Sequence, residues 1–371
     1  MEHIFSVQSL DELKQVMPES CGAIQLLGHS QPGDGGGGLF HWNSHSMANP
    51  DDGIVVAATT EKPGRWHRLE ADPINVKWYG AQGNGSDATA AIQGALDAAA
   101  AGGTVRLPSG KYTITQPLRM HQGTSFLGDG LFSILQYSGP DNTGCIQSTT
   151  PDLNCAFSIA KINIEVFQEN AWGIDLRGMS FSRFDHLSVH LRKANTSGFF
   201  GPGDGKSPYY NLFTSCHIAG TGDATKNGCT GYNFTYDAET EYQGANANQI
   251  IGGHINTCHT AVACYGTGNV FYGQVFEDGH NGYLFDLPPG RLNDRSKGTI
   301  NTIAGLYTEY INNVVVQRHE SCTVTAEVTH STGYEKVFDG ISTKNSILIT
   351  GHEGRLEVAR GFVHRNITIH E

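Results

Sequence analysis

From residue 104 onward, apolar and polar residues alternate in short runs, each broken by Gly, Asn, Asp or Ser. Alternation with a period of two predicts strands with one buried face. The runs also repeat. Ile162, Ile164 and Val166 match Leu187, Val189 and Leu191, 25 residues on. Three segments align without gaps: Asn248-QIIGGHIN, Asn269-VFYGQVFE and Asn301-TIAGLYTE, with Asn211-LFTSCHIAG as a weaker fourth. In the first three, Gly252, Gly273 and Gly305 stand four residues after the Asn, and Asn256, Glu277 and Glu309 stand eight after it. The starts lie 21 and 32 residues apart, and the longer interval holds Pro288-Pro289-Gly290-Arg291, a loop insertion. Such a period predicts one solenoid rung per repeat. A rung cannot bury its own inner face, so stacking the rungs makes the core. Equivalent residues then form ladders, and Asn248, Asn269 and Asn301 are expected to stack as an amide ladder. Cys216 and Cys258 occur in similar local settings and are expected in a packing ladder.

The pattern is different between Ile74 and Gly110. A β-prone run (Ile74, Val76, Trp78) enters a glycine-punctuated turn. Ile92, Ala95, Leu96 and Ala99 then follow the i, i+3, i+4, i+7 spacing of an apolar helix stripe. Ser86 and Asp87 are the expected N-cap residues. Gly102 and Gly103 end the helix, and Val105-Arg106-Leu107 begins a strand. This stretch, through GAQGNGSDATAAIQGALDAAAAGGTVRLPSGKY, resembles the opening of the pectate-lyase-like right-handed parallel β-helix superfamily, shared by phage tailspikes and bacterial polysaccharide depolymerases. The chain departs in Asp87-Ala88, where the family often has two adjacent acidic residues. The resemblance implies an all-β fold: a single-stranded right-handed parallel β-helix over 73–321, with a helix near 87–101 plugging its N-terminal end. It also implies a tailspike-like depolymerase acting on a capsular or exopolysaccharide, a homotrimer, and a phage or prophage origin.

Residues 1–72 read as a separate small β-rich module. DELKQVMPE predicts a short helix, and a Gly-rich turn, F-x-W, DDG and GRW-x-R follow. This order is similar to a module that precedes the β-helix in many tailspike-like proteins, where it would serve virion attachment. The Gly35–Gly38 run lacks the Lys-Ser/Thr and the following helix of a phosphate-binding loop, so a turn is expected. Phe40, Trp42 and Trp66 are expected to form a small core. Residues 322–371 keep strand patterns and are either the last rungs or a small C-terminal β element.

Composition narrows the function. The 47 glycines and 16% charged residues suit many short strands and tight turns. A net charge of −12 without a basic cluster argues against nucleic acid and anionic membranes as partners, and an anionic substrate would need a local basic patch. No apolar run is long enough for a membrane span, and the N-terminus has no apolar core of a Sec-type signal, as expected of a virion protein released by lysis. Eight cysteines without CxxC spacing are expected to be free and buried. The 17 histidines include no HExxH, so neither a metal nor a cofactor is expected.

A solenoid presents one long groove, and two reaction classes fit it. Glycoside hydrolysis needs two carboxyl groups, about 5 Å apart for retention or about 6.5–9.5 Å for inversion. The repeat register puts Glu277 and Glu309 at one rung position, with Asp278 as an alternate if its strand has ended. β-Elimination on a uronic acid needs a base, a proton donor and a group that neutralises the carboxylate. His254, His280, Tyr265 and Arg183 are its candidates, with His259, His186, His190 and Arg192 nearby in sequence. Glu239 and Glu241, paired i, i+2 in an expected loop, and Tyr272 and Tyr307 are candidates for substrate binding. A non-catalytic carbohydrate-binding adhesin would share the same architecture.

Overall fold

The computed structural model describes residues 5–17, 22–59, 63–151, 155–202, 208–235, 245–286, 299–319 and 322–340, and the strands Ser346–Ile349 and Ile367–Ile369. Two α-helices occur among the described residues, α1 (Leu10–Gln15) and α2 (Thr89–Ala98); the rest of the regular structure is almost all β. One five-stranded sheet lies within residues 6–68, and a 27-stranded parallel assembly begins at Ile74. The expected parallel β-helix is therefore the observed fold.

Strands of three to five residues recur in threes, and most strands pair in parallel with the third strand before and after them. Three sheets result. The first runs through Ser158–Ala160, Arg183–Asp185, Leu212–Thr214, Gln249–Ile251 and Val270–Tyr272. The second runs through Asn163–Val166, Ser188–Leu191, His217–Ala219 and His254–Asn256 into Val275–Glu277. The third runs through Trp172–Asp175, Ser197–Phe200, Thr230–Phe234 and Thr260–Cys264. Strands Thr323–Thr332, Lys336–Gly340, Ser346–Ile349 and Ile367–Ile369 continue the parallel pairing.

Alternate residues of each strand point inward and build one continuous core, in which Phe184, Phe213 and Phe199, Tyr232 form stacked pairs on successive rungs. The amide ladder is present and begins one rung earlier than its three strongest members. Asn211, Asn248, Asn269 and Asn301 are all buried. The Oδ1 of Asn248, Asn269 and Asn301 accepts from the backbone N–H of the preceding Asn at 3.0–3.1 Å. Nδ2 of Asn269 donates to Ala245 O at 2.8 Å and to Asn301 Oδ1 at 3.1 Å. Each amide thus satisfies backbone that the corner would otherwise leave buried and unpaired. The glycines four residues on, Gly252, Gly273 and Gly305, have φ of 61°, 64° and 66°. They take the left-handed corner between the first and second sheets, which glycine adopts without steric cost.

Two local expectations need correction. Cys216 does not stack on Cys258. Cys216 precedes His217 at the corner between the first and second sheets, whereas Cys258 follows Asn256 at the corner between the second and third. The register sets Cys216 beside Gly253. The seven cysteines among the described residues are free and buried. The α2 N-cap is Ala88, which offers no side-chain bond, and Ser86 and Asp87 lie in a strand. Asp87 still serves this end: its Oδ1 accepts from the Thr89 N–H at 2.9 Å. Ile92, Ala95, Leu96 and Ala99 are buried, as their spacing predicts. Gln93 accepts from Arg119 N at 2.8 Å and donates to Arg119 O at 3.0 Å, so α2 covers the edge of the strand Leu118–Met120.

In the five-stranded sheet, Phe40 and Trp66 are fully buried and Trp42 packs on them. The glycine run has a packing role beyond turning. Arg68 donates to Gly36 O, Gly37 O and Gly53 O at 3.0, 2.7 and 2.9 Å, and lies over the rings of Phe40 and Trp78. A Cβ on Gly38 would stand 2.0 Å from the Arg68 guanidinium.

Candidate active site

The second sheet exposes two columns of side chains, set by the same alternation that fills the core. One column reads Gln136, Glu165, His190, Ala219, Asn256, Glu277, Glu309, Thr332. The other, two residues earlier on each strand, reads Asn163, Ser188, His217, His254, Val275, Tyr307, His330. Inward neighbours such as Ile218, Ile255 and Phe276 are buried and fix these strands. Glu277 and Glu309 are direct register partners, so their backbones are one strand spacing apart, about 4.8 Å.

Each glutamate has its own partner. His254 Nε2 lies 3.1 Å from Glu277 Oε2. The approach lacks the direction of a good hydrogen bond, and His254 Nε2 is a buried polar atom without a hydrogen-bond partner. Asn256 Oδ1, beside it on the same strand, is another. The Tyr307 hydroxyl donates to Glu309 Oε1, and the Tyr307 ring stacks on His330 at 4.5 Å.

Below this pair the histidines follow one another rung on rung, with their rings tilted. The His217 and His254 rings are 5.0 Å apart and those of His190 and His217 are 5.8 Å apart. Burial, reinforced by both neighbouring imidazoles, lowers the His217 pKa to about 4, so it is neutral near pH 7. Burial also lowers that of His190, with Arg192 adding to the effect. Further down, burial works against the Glu165 carboxylate, but donors from Gln136 at 2.9 Å and Arg192 at 2.5 Å outweigh it and hold its pKa below the usual value. No Lys or Arg stands in either column from the His217 rung to the His330 rung.

The structure gathers Glu277, Glu309, His254 and Tyr307 on this face and places the other candidates elsewhere. Asp278 has φ of 50° and turns the chain at the corner, so it is exposed beside Tyr310 and Asn312, off the Glu277 face. His280 lies past that corner, with its ring 5.0 Å from His259. Tyr265 follows the last residue of a third-sheet strand. Arg183 and Tyr272 belong to the first sheet, Arg183 lining a cavity of about 280 Å³ with Phe181 and Tyr210. His186 takes the corner between the first and second sheets with φ of 48°. Glu239 and Glu241 lie outside the described residues.

His217 and Glu165 belong to the face and were not among the candidates. A signal for His217 was present: it stands six residues after Asn211, as His254 does after Asn248. Glu165 carries no such mark, because its rung lacks the leading Asn. Among the described residues, no group of three or more His, Cys, Asp or Glu is arranged to hold a metal ion.

Residues 6–71 match a phage tail protein small four-stranded beta-sheet domain. Mannuronan C5-epimerase AlgE2 of Azotobacter vinelandii is 33% identical over 113 residues, which is 27% of this chain and 11% of that protein. Alginate lyase 7 of the same organism is 36% identical over 113 residues, 27% of this chain and 13% of that protein. The chain therefore spans only about a tenth of the length of such relatives. In three dimensions, the tailspike protein of Acinetobacter phage vB_ApiP_P1 superposes with a TM-score of 0.72 at 15% identity, over 100% of this chain and 70% of that one. Tailspike gp49 of Acinetobacter baumannii bacteriophage Fri1, described as a capsular polysaccharide depolymerase, gives 0.62 at 13% identity, over 94% and 71%. These two likenesses establish the shared fold. Residues 73–282, more than half of the sequence, match the family described as rhamnogalacturonase A/epimerase, pectate lyase-like, and the chain belongs to that family.

Proposed function

We propose that the chain is a phage tailspike-type polysaccharide depolymerase that hydrolyses glycosidic bonds on the second-sheet face, with Glu277 and Glu309 as the paired carboxyl groups. The observation that carries this reading is their register partnership on adjacent rungs. One strand spacing is close to the separation of about 5 Å used by retaining glycosidases. Glu309, whose Oε1 accepts the Tyr307 hydroxyl, takes the role of the anion that attacks the anomeric carbon. Glu277 donates its proton to the leaving oxygen. Water then cleaves the glycosyl ester, with Glu277 as the base that accepts the water proton. The buried, unsatisfied Asn256 Oδ1 suits a sugar hydroxyl, a donor that would remove the cost of leaving it unpaired.

Charge supports hydrolysis over elimination. Removing a proton α to a uronate carboxylate requires a group that neutralises that carboxylate. Around Glu277 the face offers two acidic side chains and a neutral His217, and no Lys or Arg. Arg192, already bound to Glu165, is three rungs below, roughly 14 Å away.

A second reading is C5-proton abstraction on a uronic acid, leading to elimination or epimerisation. The imidazole of His254 next to Glu277 and the epimerase and lyase names of the relatives favour it. His254 or Tyr307 would then be the base. We further propose a homotrimer, a location on the virion tail with the five-stranded module as attachment element, and a division of the chain near residue 72.

The deciding experiment mixes the full chain with capsular and exopolysaccharides and follows reducing ends together with the ultraviolet absorbance of unsaturated uronate. Reducing ends alone are expected. Absorbance rising in step with them would replace hydrolysis by elimination. Binding without either product would make the protein an adhesin.

A further inference from the structure

The third sheet carries a cavity that the proposed reaction does not use. It has a volume of about 240 Å³ and is lined by Arg119, Gln147, Ser148, Thr149, Asp175 and Arg177, with Pro151. Arg119 and Gln147 are register partners. Gln147 and Asp175 follow the partners Ile146 and Ile174, so Arg119, Gln147 and Asp175 form one outward column on three rungs.

The two arginines are held differently. Asp175 is 2% exposed and takes Arg177 in a fork, with Nε 3.0 Å from each carboxylate oxygen and Nη2 2.5 Å from Oδ2. The same guanidinium lies 5.5 Å from the Trp172 ring and 5.9 Å from Phe200, whose rings stack at 3.7 Å. Arg177 is therefore ordered before any ligand arrives, which lowers the entropy lost on binding. The backbone of Arg119 is pinned through both its N–H and its carbonyl by Gln93 of α2, and its side chain is exposed and makes no ion pair among the described residues. Among the described lining residues are two guanidinium groups and one carboxylate, on a chain whose net charge is −12.

We propose that this cavity binds a carboxylate-bearing sugar unit. Arg119 recognises the carboxylate through its planar fork, and the Gln147 amide takes a ring hydroxyl. The site is on a different wall from Glu277 and Glu309, so it would hold an acidic residue of a polymer whose cleaved linkage lies on the second sheet. Its occupancy does not depend on which reaction runs there.

The test is ligand-observed NMR on the full chain with D-glucuronate and D-galacturonate, using D-glucose, D-galactose and inorganic sulfate as comparison arms. The acidic sugars are expected to bind and the neutral ones not. Arg119→Ala should weaken binding at least about tenfold, as loss of a charge-assisted fork does. Arg119 is exposed, so this variant keeps the fold, which circular dichroism checks. Glu277→Gln and Glu309→Gln should bind as the wild type does, separating this site from the hydrolytic one. The proposal is overturned if neutral sugars bind as well as acidic ones or if Arg119→Ala binds normally. Sulfate displacing the uronates at equal concentration would reduce the cavity to a general anion site and overturn the sugar assignment.

Discussion

His254 Nε2 stands 3.1 Å from Glu277 Oε2 across one rung of the solenoid, although 23 residues separate the two in the chain. The contact arises because His254 pairs in register with Val275, two residues before Glu277, and both strands present alternate side chains to the same face. Glu309 extends the group by one further rung.

If Glu277 is the acid, Glu277→Gln keeps the shape and removes the proton. Turnover of the cleaved polysaccharide should fall at least about a hundredfold, with unchanged circular dichroism. Asp278→Asn should stay within about threefold of wild type, since Asp278 turns away at the corner and Asn tolerates its positive φ. Reducing-end assays of both variants check this. Near-normal turnover by Glu277→Gln would remove it from the chemistry.

Tyr307→Phe should separate the two glutamates. It removes the hydroxyl that donates to Glu309 while keeping the ring stacked on His330. Loss of one such donor should lower kcat by about tenfold to a hundredfold with little change in KM. An increase in KM alone would instead make Tyr307 a sugar-binding residue.

Asn269 holds backbone on two rungs. Asn269→Leu leaves Asn248 N–H and Ala245 O without their partners in a buried corner. The expected loss is about 2–3 kcal/mol, the cost of unsatisfied buried groups. The denaturant midpoint measures it, and a variant as stable as the wild type would show that the ladder follows the fold and does not support it.

His217 gives the stability a pH dependence. Its folded pKa of about 4 is below the unfolded value of about 6.5, so the unfolded chain binds the extra proton between these limits. Stability contributed by the neutral imidazole is full above about pH 6.5 and declines as pH falls toward 4. His217→Gln should flatten that part of the thermal-stability profile. An identical slope in the variant would assign the dependence to other groups.

The repeat was legible wherever a ladder residue was chemically distinctive. Asn248, Asn269 and Asn301 gave the register of three rungs, and that register alone paired Glu277 with Glu309. The capping helix is legible from its apolar stripe, but its first turn is not, because strand pairing takes up Ser86 and Asp87 before the helix begins. Cys216 and Cys258 misled because two corners of a rung share a similar local sequence. Candidates such as Arg183, His280 and Tyr265 lie on other walls than Glu277 and Glu309, a placement that their position in the chain does not give.

By itself, then, the sequence determined the solenoid, its cap and the vertical register of its best-marked rungs, because these follow from local periodicity and from side chains that must pair with their own copies. Only the tertiary structure decided which wall each side chain faces. That choice depends on single left-handed residues at the corners, such as Thr257, Asp278 and Tyr310, which carry no sequence signature and turn the chain by one residue from one sheet to the next.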